Sequence, residues 1–212
     1  MNLRETIGAV HNKGVAVKQK IKALVSQESR LERINRRNRA ILAAQEHAKT
    51  NHSSFSFTMY DTTDAARPLP TPLPVAVAGY VGGNWPSYNA LRVKYPHAKH
   101  LSIAVNAGEV AQCLDVETGD ATPAEAPGWV KREKPRLSRE GKNPWVYANA
   151  STMPAVKQAL LRAGISLSEV HLWVAQYDNI AEIPAGFAAK QYRSVESGGF
   201  NYDASVVRAG LL

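Results

Sequence analysis

A series of eight short apolar segments, separated by helical patterns or turns, constrains the fold more than any other feature of this sequence. The segments occupy residues 54–61, 75–82, 100–105, 111–117, 144–149, 170–177, 188–193 and 201–207. Most are continuous apolar runs instead of strict alternations, which is typical of strands buried on both faces of a parallel sheet. Helical patterns occupy residues 87–96, 122–133 and 151–164. The order strand, connection, strand therefore predicts an α/β fold with buried parallel strands.

Eight such strands predict a (β/α)₈ barrel. Barrels of this type usually need about 200 to 400 residues, whereas residues 54–212 supply about 160. Several of the predicted connections are too short to hold a full helix. We therefore expect a small or irregular (β/α)₈ barrel as the domain that spans 54–212.

Residues 1–50 form a separate basic segment. They contain eleven Lys and Arg residues and four acids, which accounts for +7 of the chain's net charge of +8. Residues 15–50 contain neither Pro nor Gly, and their apolar residues recur at helical spacing; these are Val17, Ile21, Leu24, Leu31, Ile34 and Ile41. The pattern predicts a long helix from about Val17 to His47, roughly 46 Å in length at about 1.5 Å per residue.

The partner of this helix remains open on the sequence alone. Its apolar stripe needs a partner helix, the barrel or a second copy to cover it. Asn35 and Asn38 interrupt the heptad seam of a simple coiled coil. The basic face also fits phosphate groups of a nucleic acid or of another anionic surface. Because the helix has no aromatic residue to stack on bases, contact with nucleic acid is expected to be weak and independent of base sequence.

Several classes of protein are excluded or disfavoured by composition. No apolar run reaches the roughly 18 residues of a membrane-spanning helix, and the N-terminal residues lack the apolar region of a secretory signal peptide. One cysteine, Cys113, rules out a disulfide framework. The histidines show no metal-ligand spacing, and the glycines of 79–83 are not followed by the Lys and Ser or Thr of a phosphate-binding loop. We expect no metal and no cofactor.

Acidic residues recur at the ends of the predicted strands. Asp61 ends the first strand, Asp115 and Glu117 end the fourth, and Asp203 lies on the last. Catalytic residues of barrels lie at the carboxyl ends of strands, and the first and last strands of a closed barrel are neighbours. The four carboxylates are therefore predicted to converge on one mouth.

The spacing of Asp115 and Glu117 favours acid–base chemistry. Residues two apart on a strand share a face and lie about 6.6 Å apart along the chain. Like charges at close range raise the pKa of one member, so that a proton donor stands beside an ionised partner, as glycoside hydrolysis requires. The spacing lies between those of retaining and inverting enzymes and does not decide between them. The alternative is that strand-end acids only solvate or cap the following turn.

Five segments follow one another within about 55–207, namely CLDVETGD, PWVYANAS, LWVAQYD, AAKQYRS and FNYDASVV. In this order they resemble glycoside hydrolase family 25, the lysozyme-like muramidases, and especially the barrels of actinobacteria and their phages. The resemblance implies that Glu117 is the general acid. It also implies that Asp115 supports positive charge on the sugar or orients its N-acetyl group as an internal nucleophile, while Asp61 and Asp203 complete an acidic floor.

The same resemblance implies a set of residues that line the cleft. These are Tyr147, Trp173, Tyr177, Gln191 and Tyr192. For Tyr147 and Trp173, packing in the barrel core is an equally good interpretation. The chain departs from the family at Lys190, where the family often has Trp, in the Pro-rich stretch 69–74 and in the basic stretch 131–142, which we expect to be a loop.

Three functions follow as hypotheses. The first is cleavage of β-1,4 glycosidic bonds in peptidoglycan or a related cell-wall glycan, by a protein without a signal peptide that reaches the wall from the host cytoplasm or from a virion. The second is a non-catalytic barrel that serves as a virion or binding component, with the basic helix mediating assembly or nucleic-acid contact. The third is a cytoplasmic protein associated with nucleic acid. Retention of four strand-end acids favours the first.

Overall fold

The computed structural model describes residues 55–212, so the predicted helix Val17–His47 and the proposed 1–50 segment lie outside the described residues. Residues 55–212 form a closed barrel whose eight strands follow one another in chain order. The strands are β1 (Ser56–Asp61), β2 (Ala76–Tyr80), β3 (Lys99–Ala104), β4 (Cys113–Asp115), β5 (Trp145–Asn149), β6 (His171–Ala175), β7 (Ala189–Val195) and β8 (Tyr202–Arg208). The predicted α/β barrel architecture is confirmed.

The direction of the last strand differs from the prediction. Strands β1 to β7 are parallel to their neighbours, but β8 is antiparallel to both β7 and β1. Only residues 196–201 separate β7 from β8, whereas a parallel crossover needs about a dozen residues or more. Gly198 and Gly199 take positive φ angles of 62° and 83° in this connection, which reverses the chain. The sheet is therefore mixed.

Three α-helices of residues 55–212 lie outside the barrel. They are α1 (Tyr88–Lys94), α2 (Ala126–Arg139) and α3 (Met153–Arg162), which follow β2, β4 and β5. Leu114 and Val146 point outward from β4 and β5 into a cluster that includes Trp129 of α2 and Val156 of α3. The connection from β3 to β4 has no helix, as the prediction of an irregular barrel requires. No helix among residues 55–212 is long and apolar enough to cross a membrane.

Helix α2 corrects two local predictions. It starts at Ala126 instead of residue 122, because Thr122 and Glu125 form a turn in which the Glu125 carboxylate accepts from the Thr122 amide and hydroxyl at 2.8 and 2.7 Å. It then continues through Pro135 to Arg139, so most of the expected loop 131–142 is helical. Proline inside a helix costs about 3 kcal/mol. Burial of Trp129 and Leu137, each 1% exposed, contributes about 1.5–3 kcal/mol per large side chain and offsets that cost.

The barrel interior is filled with side chains. Met59, Cys113, Trp145, Trp173 and Val207 pack there against small residues such as Ala76 and Ala189. Phe57, Leu211 and Leu212 pack against the same cluster. We call the edge where β1 to β7 end the mouth, and the edge where they begin the base. Side chains alternate along each strand. A residue two positions after the last core residue of a strand therefore also points inward, at the mouth.

Candidate active site

The four predicted acids lie at the mouth. Asp61 is the last residue of β1, Asp115 is the last residue of β4, and Glu117 follows two positions later. Asp203 is the second residue of β8 and pairs directly with Asp61 in the antiparallel register. In an all-parallel barrel, a residue at the start of β8 would lie at the base. The reversed direction of β8 is therefore what brings Asp203 to the other three acids.

Gln191 of β7 links Asp61 to two tyrosines. Its side-chain nitrogen donates to both carboxylate oxygens of Asp61 at 3.1 Å. Its oxygen accepts from the hydroxyls of Tyr147 and Tyr177, each at 2.6 Å. The Tyr177 hydroxyl also lies 3.4 Å from Asp203. These contacts hold one side of the mouth in a fixed arrangement.

The Asp61–Asp203 pair is expected to retain a proton. Burial, followed by the charge of Asp203, raises the pKa of Asp61 well above its ordinary value, and the hydrogen bond from Gln191 opposes the shift. Burial also raises the pKa of Asp203, while contacts with Ser194 and Tyr177 oppose it. Because like charges directly opposite each other in a sheet repel, the more buried carboxyl, Asp61, is the better place for the proton.

Asp115 and Glu117 share a face but differ in burial. Asp115 is 3% exposed, and its Oδ1 atom is buried with no hydrogen-bond partner among residues 55–212. Burial, followed by the charges of Glu117 and Asp120, raises the pKa of Asp115 to about 8. Glu117 is half-buried. Burial and the charge of Asp120 raise its pKa, while Asn149 and Tyr147 oppose that shift. The resemblance puts the donated proton on Glu117, whereas burial favours Asp115 as the member that holds it.

The residues predicted to line the cleft do not all reach it. Tyr177 is 55% exposed at the mouth, whereas Tyr147 and Gln191 are 5% and 2% exposed beneath it. Trp173 is 1% exposed and donates from its indole nitrogen to Ser205 at 3.0 Å. Its ring meets that of Tyr147 edge-on at 4.7 Å, so it packs as barrel core.

Tyr192 lies elsewhere. The pairing of β7 with β8 is irregular between Gln191 and Arg193, which leaves Tyr192 as an extra residue. It lies near Tyr60, whose pKa it helps to raise after burial. Tyr60 packs against a second cluster outside the barrel, formed by Leu69, Val77, Leu91 and Tyr95. The structure therefore places Tyr192 on the outer side of the sheet and not among the acids.

Several residues at the mouth were not predicted. Tyr80 ends β2 and Asn149 ends β5, each two residues beyond an inward-facing core residue. The alternation Ala76, Ala78, Tyr80 was the signal in the sequence. A cleft of about 210 Å³ opens beside Asp61 and Asp203; its other lining residues are Thr62, Thr63, Tyr80, Ser194, Glu196 and Asn201.

Metal binding gains no support from the described part of the chain. Residues 55–212 contain no group of three or more His, Cys, Asp or Glu side chains placed to hold a metal ion.

Comparisons of the chain with models of protein families, with curated proteins and with solved structures found no match. The likeness to glycoside hydrolase family 25 therefore rests on the five sequence segments named above, and the roles that it implies stay predictions.

Proposed function

We propose that the barrel is a lysozyme-like glycoside hydrolase that cleaves β-1,4 bonds of peptidoglycan or a related cell-wall glycan. The observation that carries the proposal is the convergence of Asp61, Asp115, Glu117 and Asp203 on one mouth. All four carboxyls have raised pKa values with burial as the first cause. Carboxyl groups with perturbed pKa values in a cleft are the groups that glycosidases use.

Glu117 is the proposed proton donor because it is the more exposed member of its pair: it is half-buried, whereas Asp115 is 3% exposed. A bound glycan would exclude water from the mouth and raise the pKa of Glu117 further. Glu117 would then protonate the glycosidic oxygen as the bond to the sugar carbon breaks. The resulting carboxylate would later accept a proton from the water that completes hydrolysis.

Asp115 is proposed to orient the N-acetyl group of the substrate. With a pKa of about 8, it carries little negative charge at neutral pH. That makes it a poor electrostatic support for a positive sugar and a good hydrogen-bonding partner. The N-acetyl oxygen would then attack the sugar carbon from within the substrate while the leaving oxygen takes the proton of Glu117.

The test is a turbidity assay on purified actinobacterial cell walls with measurement of new reducing ends. We expect the full-length protein to lower turbidity and to release reducing ends, and Glu182→Gln, an exposed acid outside the cluster, to behave like the unchanged protein. Absence of reducing ends from every wall preparation would contradict the proposal. The non-catalytic virion or binding component, which the charge of +7 in residues 1–50 favours, would then be the better hypothesis.

A further inference from the structure

The base of the barrel exposes large apolar side chains. Phe55, which precedes β1, is 84% exposed, and Leu73 and Val75, which precede β2, are 76% and 54% exposed. Beside them a cleft of about 410 Å³ is lined mainly by Pro72, Leu73, Pro74, Tyr95 and Pro96. Single exposed apolar residues are ordinary. The mouth also exposes large apolar side chains, namely Trp85, Tyr177 and Ile180. The three at the base differ in lying next to a cleft lined largely by prolines.

The same edge is basic. Lys94, Arg139 and Arg162 end the three helices, Lys99 begins β3, and Arg208 ends β8. The acids nearby are already paired: Glu140 contacts Arg136 and Lys142, and Glu169 contacts Lys134. Lys94 donates to the carbonyls of Ala65, Ala66 and Arg67, and Lys99 donates to that of Leu212. Arg139 and Arg162 form no ion pair with an acidic side chain of residues 55–212.

Helix stability explains only part of this arrangement. Bases in the last turn of a helix interact favourably with its dipole, which accounts for Lys94, Arg139 and Arg162. It does not account for Phe55, Leu73 and Val75 on the same edge. The described residues also begin at this edge, where Phe55 precedes β1. The mouth, by contrast, carries the acid cluster.

We infer that the base of the barrel is a docking face for an anionic lipid surface. Basic residues combined with exposed apolar side chains fit the bilayer interface, where the charges meet anionic headgroups and the apolar groups enter the acyl boundary. A nucleic acid would use the charges and would leave Phe55, Leu73 and Val75 in water. In this orientation the mouth faces away from the bilayer. Lipid binding by this face does not depend on glycan cleavage at the mouth.

The test is sedimentation of the full-length protein with vesicles of phosphatidylcholine alone or mixed with phosphatidylglycerol. We expect binding to the anionic vesicles that weakens as salt is added. Each charge near the surface contributes on the order of 1 kcal/mol. The pair Arg139→Glu and Arg162→Glu should therefore reduce partitioning by about 10-fold or more. Leu73→Asp should also reduce it.

The control variants make the same kinds of substitution at positions away from the base. Arg193→Glu makes half of the charge change of that pair, on β7 in the half that leads to the mouth, and Ile180→Asp inserts an acid at an apolar residue that follows β6 at the mouth and is 52% exposed. Both should bind like the unchanged protein. Equal binding by the Arg139→Glu, Arg162→Glu variant would overturn the inference, since residues 1–50 would then suffice. Failure to bind anionic vesicles, with retarded migration of duplex DNA, would overturn it in favour of nucleic acid.

Discussion

The side-chain nitrogen of Gln191 lies 3.1 Å from both carboxylate oxygens of Asp61, so one amide spans the carboxyl group at the end of β1. The orientation of this amide is fixed from its other side. Two tyrosine hydroxyls donate to its oxygen at 2.6 Å, and they leave only the NH₂ group to face Asp61. The contact is buried, with Asp61 3% and Gln191 2% exposed.

Gln191→Glu should destabilise the fold as pH rises. The new carboxyl would face Asp61, whose folded pKa is already raised by burial and by Asp203. A group with a raised folded pKa loses stability as pH climbs from the unfolded value through the folded one. Near pH 5 a protonated side chain at 191 can still donate to Asp61, so the loss should be small. Near pH 8 the decrease in the free energy of unfolding should reach about 2 kcal/mol or more.

Urea unfolding of this variant at both pH values measures the effect. Gln158→Glu, the same substitution at an exposed position of α3, is the control and should differ little from the unchanged protein. A deficit at pH 5 as large as that at pH 8 would show that lost packing, and not the second charge, is responsible.

Asp115→Asn should stabilise the protein at neutral pH. The buried carboxyl of Asp115 has a pKa of about 8 in the folded protein and about 3.9 when unfolded. Between these values the unfolded chain has released a proton that the folded chain keeps, so stability falls with rising pH. At about 1.4 kcal/mol per pKa unit, removal of this carboxyl should raise the free energy of unfolding by a few kcal/mol at pH 7.

The gain should vanish near pH 4, where Asp115 is neutral in both states. Denaturant titrations from pH 4 to pH 8 give the comparison, with Glu182→Gln as a control at an exposed acid. A variant that is less stable than the unchanged protein at pH 7 would mean that the Asp115 carboxylate is ionised and has a partner in the folded state.

Part of the fold could be predicted from the sequence because it depends on local patterns. The eight strands and three helices were predicted from apolar runs and caps, with small differences at most ends. The direction of β8 was missed, although the six-residue connection with Gly198 and Gly199 predicts a hairpin. The passage of α2 through Pro135 had no such signal, because burial of Trp129 and Leu137 against other elements overrides the local preference of proline.

The candidate site, like the fold, could be predicted from the sequence only in part. The acids were predicted because they end strands, and their inward direction follows from alternation. The depth of each side chain was not predictable. Trp173 and Tyr177 lie four residues apart on one stretch, yet Trp173 is 1% exposed and Tyr177 is 55% exposed. Depth also decides that Asp115, and not Glu117, has the pKa of about 8, and depth depends on the whole barrel.

The ion pair of Lys190 and Asp178 should hold the loop that carries Tyr177. Lys190 Nζ lies 2.7 Å from both carboxylate oxygens of Asp178, and the Lys190 side chain is 4% exposed. Asp178→Asn should lower the melting temperature, because it leaves a buried ammonium group without its counter-charge. Adding Lys190→Met should restore part of the loss. Differential scanning calorimetry of both single variants and the pair checks this, and no recovery in the pair would contradict it.

Glu117→Gln should reduce glycan cleavage by about 10²- to 10⁴-fold, the usual contribution of general acid catalysis. The amide keeps the shape of the side chain and removes the proton. Because Glu117 is half-buried with a raised pKa, unfolding should be little changed or slightly harder at neutral pH. Release of reducing ends from cell walls, with circular dichroism to check the fold, measures both effects.

Asp120→Asn is the matched control, because it replaces an exposed carboxyl close to Glu117 with an amide and leaves Glu117 in place. It should lower the pKa of Glu117 and so shift the basic limb of the pH profile to lower pH while activity persists. Full activity of Glu117→Gln would leave Asp115 and Glu117 as strand-end acids that only solvate the turn after β4.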